Sequence, residues 1–244
     1  PEWVRLSEAK PVTVWKGPET LVATLSRDGR RIFAFKPGGA ICEYEIEKDQ
    51  VREGKSTPTE WGGTTRAIAV HPTNPNRILL GTIFHKKAGI EVIPVYRAWA
   101  YVFDRSTQSV ADYLTVTSSQ SLLGFYTTLA FSNKGDHVLA ALSESKTFSV
   151  HTLTGQGTNA NSKTFTHHGK GIRASFSHDD RWIVSISAED RTLRVWDPNL
   201  EAAVFQKTLD YEPTIFAVAE NDFIIATGGG PGVDIWRLTD LVQK

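Results

Sequence analysis

Apolar and polar positions alternate in short runs along most of this chain, and Gly, Pro, Asn and Asp break the runs at close intervals. Segments such as "LVATL", "RIFAF" and "LRVWD" have the two-residue period of a half-buried strand, whereas no long stretch keeps the 3.6-residue period of an amphipathic helix. The pattern predicts an all-β protein of many short strands joined by tight turns.

A longer period lies over the short one. Five apolar runs end in a ring followed by a polar residue: "ICEYE" (Tyr44), "AYVFD" (Phe103), "FSVHT" (His151), "LRVWD" (Trp196) and "VDIWR" (Trp236). The ring positions are 59, 48, 45 and 40 residues apart. Upstream of each ring a strand, a polar turn and a second strand recur, as "LVATLSRDGRRIFAF", "AIAVHPTNPNRILLG", "TLAFSNKGDHVLAAL", "RASFSHDDRWIVSIS" and "FAVAENDFIIATGGG". Two independent columns recurring in one order indicate a repeat architecture.

Over roughly residues 18 to 240 these columns resemble the WD-repeat (WD40) β-propeller family. The fourth unit, "HHGKGIRASFSHDDRWIVSISAEDRTLRVWD", carries the resemblance almost throughout; the other four are degenerate, with "ATGGGPGVDIWRL" coming nearest. The resemblance implies an all-β, WD40-like β-propeller of four-stranded antiparallel blades. Five repeats are visible and five to seven blades are expected, in a single domain over residues 1–244. In the family pattern His168, Asp190, Trp196 and a strand hydroxyl, Ser185 or Ser187, form a hydrogen-bonded set that ties one blade together. The other units lack part of that set, so it is expected once. The last unit stops after its third strand, and "PVTVWKG" near the N-terminus is expected to pair with it as a fourth. The alternative is an open edge that a partner chain completes.

Composition narrows the function. Lys plus Arg and Asp plus Glu both number 27, which leaves no net field to draw in a polyanion, so sequence-independent nucleic-acid binding is not expected. Cys42 is the single cysteine and reads as a small buried apolar residue; there is no disulfide framework and no glycosylation sequon. No apolar stretch is long enough to span a bilayer, so no membrane insertion is expected, and an intracellular location, cytoplasmic or nuclear, fits. The chain begins at Pro1 and contains no methionine, which suggests a segment of a longer protein.

Catalytic motifs are missing: no third Gly at the dinucleotide-binding spacing, no phosphate-loop Lys-Ser/Thr, no Gly-x-Ser-x-Gly elbow and no His-Glu-x-x-His. His167, His168, His178, Asp179 and Asp180 have metal-ligand chemistry. His178–Asp180 nonetheless fills the strand-connecting turn that "SRDG" fills in the first unit, so neither a metal nor a cofactor is expected. Candidate partner-binding residues are His85, Lys86 and Lys87, which open the long "HKKAGIEVIPVY" insertion, and the aromatics Trp61, Phe125 and Tyr211 that precede first strands. For the aromatics the competing expectation is packing between blades. The reading is a non-catalytic scaffold for a protein or peptide partner, within a multisubunit assembly. The alternatives are a propeller-type hydrolase or lactonase-like enzyme with a polar central site, and the sensor or regulatory propeller of a longer multidomain protein.

Overall fold

The computed structural model describes residues 22–47, 50–59, 64–86, 95–114, 126–156, 161–219, 223–229 and 232–242. Their alternating runs form nineteen strands in five antiparallel sheets, each built from strands consecutive in sequence. The first sheet holds β1 (Val22–Leu25), β2 (Arg31–Lys36), β3 (Ala40–Glu47) and β4 (Gln50–Pro58). The second holds β5 (Thr64–Val70), β6 (Arg77–Lys86), β7 (Val95–Asp104) and β8 (Ser109–Leu114). The third holds β9 (Tyr126–Phe131), β10 (His137–Leu142), β11 (Thr147–Thr152) and β12 (Asn161–Thr166). The fourth holds β13 (Ile172–Phe176), β14 (Ile183–Ser187), β15 (Thr192–Asp197) and β16 (Ala202–Thr208). The fifth has β17 (Ile215–Val218), β18 (Ile224–Gly228) and β19 (Val233–Arg237), followed directly by the short helix α1 (Leu238–Val242).

The polar turns between the first two strands of a sheet explain why the meander folds where it does. In "SRDG" the Ser26 hydroxyl donates to Asp28 at 2.5 Å, Asp28 accepts the Arg30 amide, and Gly29 takes φ +67°. "SHDD" repeats the device, with Ser177 donating to Asp179 at 2.7 Å and Asp180 at φ 60°. A short acceptor two residues on closes the turn locally, and a left-handed residue reverses the chain.

The first strands of successive sheets, β1, β5, β9, β13 and β17, pack side by side in sequence order, which stacks the sheets face to face like blades. Each joint has its own apolar core. Phe33, Phe35 and Ile41 meet Ile68, Ile78 and Leu80 between the first and second sheets. Leu79, Val102 and Leu114 meet Tyr126, Val138 and Leu142 between the second and third. Leu139, Phe148 and Phe165 meet Ile172, Ile183 and Trp196 between the third and fourth, and Val184, Ile186 and Leu193 meet Ile225 and Trp236 between the fourth and fifth. Burial of one Phe side chain is worth about 2–3 kcal/mol, against about 1 kcal/mol net for a neutral hydrogen bond, so the apolar faces hold the joints.

Polar clamps then fix how the faces meet. Arg105, 2% exposed at the end of β7, donates to Glu43 at 2.9 Å and to Thr57 at 3.3 Å in the first sheet, with its guanidinium over the Phe33 ring. Asp112 in β8 is fully buried and accepts from the Thr154 amide and hydroxyl and the Gly155 amide of the third sheet. Asp180 of the fourth sheet accepts from the amides of Asn133 and Lys134 in the third. At the second joint, His71 lies so close beneath Gly135 (φ +80°) that a Cβ there has no room.

The fifth sheet packs one face on the fourth and leaves Ile215, Val233 and Ile235 more than half exposed on the other. The "PVTVWKG" segment expected to complete it lies outside the described residues.

Arg105→Ala is expected to destabilise the fold by about 2–3 kcal/mol, because it removes the 2.9 Å partner of a largely buried carboxylate and leaves Glu43 with Arg31 alone, at 3.4 Å. The double variant Arg105→Met/Glu43→Leu is expected to recover most of that loss. Urea unfolding of the three proteins is the measurement; a shift below about 0.5 kcal/mol in the single variant contradicts the clamp.

Candidate functional site

The fourth unit's polar cluster is built on three elements: the β12–β13 connection, β14 and β15. Ser185 in the middle of β14 is fully buried and stands at its centre. Its oxygen accepts from the Trp196 indole N–H at 2.7 Å, and its hydroxyl lies 2.7 Å from His167 Nε2. The Asp190 carboxylate and Thr192 oxygen facing Nδ1 favour the imidazole proton there, which leaves Nε2 to accept the serine's proton while the serine oxygen accepts the indole's. Nδ1 lies 3.4 Å from Thr192 and 3.6 Å from the Asp190 carboxylate. Asp190 also accepts from the Thr192 hydroxyl at 2.6 Å and from the backbone amides of His168 and Gly169.

The buried histidine is therefore His167, and the expectation that placed His168 in the set is corrected. The connection runs extended into "HHG": Phe165 and His167 point into the third joint, and alternation turns His168 outward, exposed, with only its backbone amide on Asp190. Ser187, the other hydroxyl considered, donates to the Lys170 carbonyl at 2.9 Å. Trp196 stands edge-on to Phe148, Phe165 and His167, so the cluster binds the fourth sheet to the third as well as tying its own strands.

The set is also not single, as it was expected to be. In the fifth sheet Thr227 occupies the position of Ser185, Trp236 donates to its hydroxyl at 2.9 Å, and Tyr211 stands where the fourth unit has His167. The Tyr211 hydroxyl lies 2.8 Å from Thr227 and donates to Asp234 at 2.6 Å. Tyr211, expected as a partner-binding residue, is thus engaged within its own blade. Partial burial and the Asp234 hydrogen bond both hold its phenol above the usual range.

The register explains why two units carry the set. The residue two places beyond the one facing the ring is Ala34, Leu80, Ala140, Ser185 or Thr227 in the five sheets, and only the last two have a hydroxyl. In the third sheet, with Ala140 there, His151 pairs instead with Ser149 of its own strand at 2.8 Å.

Of the remaining sequence candidates, His85 and Lys86 lie at the end of β6, where the second strand of the sheet gives way to the third. They pair with Tyr96 and Val95 of β7, so the strands run into both ends of the "HKKAGIEVIPVY" insertion. Among the described residues, β5 pairs with β6 as far as Thr64 with Ile83, and β8 pairs with β7 as far as Leu114 with Ala100. Lys87, Trp61 and Phe125 lie outside the described residues. Asp179 and Asp180, considered as metal ligands, are spent on the turn and on the clamp to Asn133.

Burial lowers the imidazoles of His167 and His151 to about 4. Unfolding restores the ordinary value near 6.5, so between pH 6.5 and 4 the unfolded chain binds protons that the folded chain does not, and stability falls as pH falls through that window. At pH 5 the loss is expected to be about 2 kcal/mol per imidazole, read as a lower urea midpoint than at pH 7.5. An unchanged midpoint means these rings are not held neutral.

Asp190→Ala is expected to cost about 2–4 kcal/mol and His168→Ala less than about 0.5 kcal/mol, by the same unfolding assay. Equal effects contradict the assignment of His167 to the cluster.

Residues 159–197 match the family model described as WD domain, G-beta repeat, a span that runs from just before β12 to the Trp196-Asp197 pair. A chain in the crystal structure of the mitotic checkpoint complex superposes with a TM-score of 0.62 at 13% sequence identity, over 88% of this chain and 59% of that one. This chain therefore spans about three fifths of that neighbour's length. No curated protein matches the sequence. The fourth unit is thus similar to the WD repeat, and the chain has a WD40-like, propeller-type all-β fold.

Proposed function

We propose that the chain is a non-catalytic platform whose partner is a protein or peptide, held within a larger assembly. The observation that carries this reading is where the reactive groups go. Arg105, Asp112, His151, His167, Asp180 and Asp190 are all spent on strands and joints. Meanwhile the strands lining the stack's inner side, β1, β5, β9, β13 and β17, contain no Asp, Glu or His. A metal-dependent hydrolase draws its ligands from such strands. WD40 repeats and propeller-type neighbours support a protein-interaction scaffold in general terms.

The partner surface we assign is the rim that carries His85 and Lys86, set on a scaffold stiffened by buried joints. Balanced charge speaks against sequence-independent nucleic-acid binding, and no described helix is long and apolar enough to cross a membrane. An intracellular, cytoplasmic or nuclear, location goes with this reading.

Affinity capture of the full chain, with mass spectrometry of what co-purifies, tests the platform. The expected result is a stoichiometric protein partner retained through salt washes and weakened by shortening the hairpin that joins β6 to β7. Substrate turnover by the isolated chain, with no such partner, overturns it.

A further inference from the structure

The stack of sheets has two end faces, and they differ. The near face of the first sheet, with Phe33, Phe35 and Ile41, is covered by the second sheet. On its far face Ala34 and Cys42 are cross-strand partners, as are Ile32 and Tyr44. Ala34, Cys42 and Tyr44 are each 2% exposed, although the cluster they form draws only on residues of the first sheet. Neighbours within a sheet shield a side chain's flanks; its outward end is closed only by a second layer, about 10 Å above. Lys36 lies over the Tyr44 ring, 5.7 Å from its centroid, but one flexible chain does not bring three neighbouring side chains to that exposure. The fifth sheet is not the second layer, since Ile215, Val233 and Ile235 on its own far face are more than half exposed.

The cover does not reach every strand. On β1, Ala23 and Leu25 pair with Ala34 and Ile32 and so share the far face, yet Ala23 is exposed and Leu25 is 57% exposed. What closes this face therefore sits over β2 and β3 and leaves the inner strand open. Among the described residues nothing occupies that place. The stretches 87–94 and 115–125, outside the described residues, are tied at both ends to the second and third sheets, beyond the near face. Residues 1–21 run directly into Val22 of β1, and β3 lies about 10 Å from β1 across the sheet, a span of about three extended residues. Their sequence suits a cover two strands wide: "WVRL" and "PVTVW" are apolar runs, with Trp3, Val4, Leu6, Val12, Val14 and Trp15, parted by the polar "SEAK".

We propose that residues 3–15 fold back over β2 and β3 as a two-stranded cover of the first sheet's far face, and that this cover keeps the Cys42 thiol from solvent. The inference is independent of the platform reading. It assigns "PVTVWKG" to the first sheet in place of the fourth position of the fifth.

Cys42 is the chain's single cysteine, which makes it a reporter. The test uses the full chain with one added cysteine at a time, Val4→Cys, Leu6→Cys, Val12→Cys, Val14→Cys or Trp15→Cys, oxidised with diamide at low protein concentration and mapped by non-reducing peptide mass spectrometry. A disulfide needs Cβ atoms about 4 Å apart, so it records direct packing. An intrachain bond to Cys42 from at least one of these positions is expected, and none from Leu200→Cys on the exposed turn between β15 and β16. The second measurement is the reaction of Cys42 with dithionitrobenzoate. It is expected to be slow in the unsubstituted chain and at least about tenfold faster in Trp3→Ser/Trp15→Ser, with a cooperative urea transition retained. If that variant does not fold, Val12→Thr/Val14→Thr reports in its place. The proposal is overturned if none of the added cysteines reaches Cys42, if Cys42 in the unsubstituted chain reacts as fast as it does in urea, or if a folded variant changes that rate by less than about threefold. Protection that is lost on dilution names a second copy as the cover and overturns it too. So does a disulfide between the added cysteines of Cys42→Ser/Val14→Cys/Ile235→Cys, which joins the segment to the fifth sheet.

Discussion

A four-stranded sheet with apolar residues on both faces cannot stand alone in water, and that constraint shapes this molecule. β10 and β11 alternate inward and outward, yet nearly every residue along them is buried, because the third sheet is covered on both sides by its neighbours. The stack follows: each sheet is the solvent shield of the next. The outcome is visible where the series ends, since the fifth sheet has one face in the core and the other bearing exposed Ile215, Val233 and Ile235.

Polar groups in the joints are few and specific, and their position accounts for the difference between holding and aligning. Face-to-face apolar packing tolerates sliding; a buried guanidinium on Glu43 or a buried carboxylate on the Thr154 and Gly155 amides does not. The Ser185 and Thr227 clusters align in the same way, each fixing an indole against the neighbouring sheet through one hydroxyl. Such commitments engage these groups within the scaffold and stiffen it.

The strands and turns were legible because both are local: period-two alternation marks the strands, and Ser-x-Asp marks the turns. Trp196 and Asp190 were legible because the fourth unit carries its signature in one continuous stretch. His167 was missed in favour of its neighbour because in "HHG" the choice depends on the parity of the extended chain, which Phe165 settles only once its face is known. Tyr211 was missed because a phenol replaces the imidazole, although Thr227 two places along from Ile225 was a signal open to reading. Arg105, Asp112 and Asp180 join residues 42 to 62 positions apart, and nothing local in the sequence marks such pairs. The lengthened hairpin was seen as an irregularity, but its strand character required the pairing of His85 with Tyr96.

Native-state hydrogen exchange as a function of urea tests most directly the claim that the sheets stand by covering one another. The account predicts that amides of β10, β11, β14 and β15 exchange together, through one opening whose free energy falls steeply with denaturant, because uncovering one sheet uncovers its neighbour. Exchange of the third and fourth sheets at separate free energies, each with its own shallow urea dependence, contradicts it.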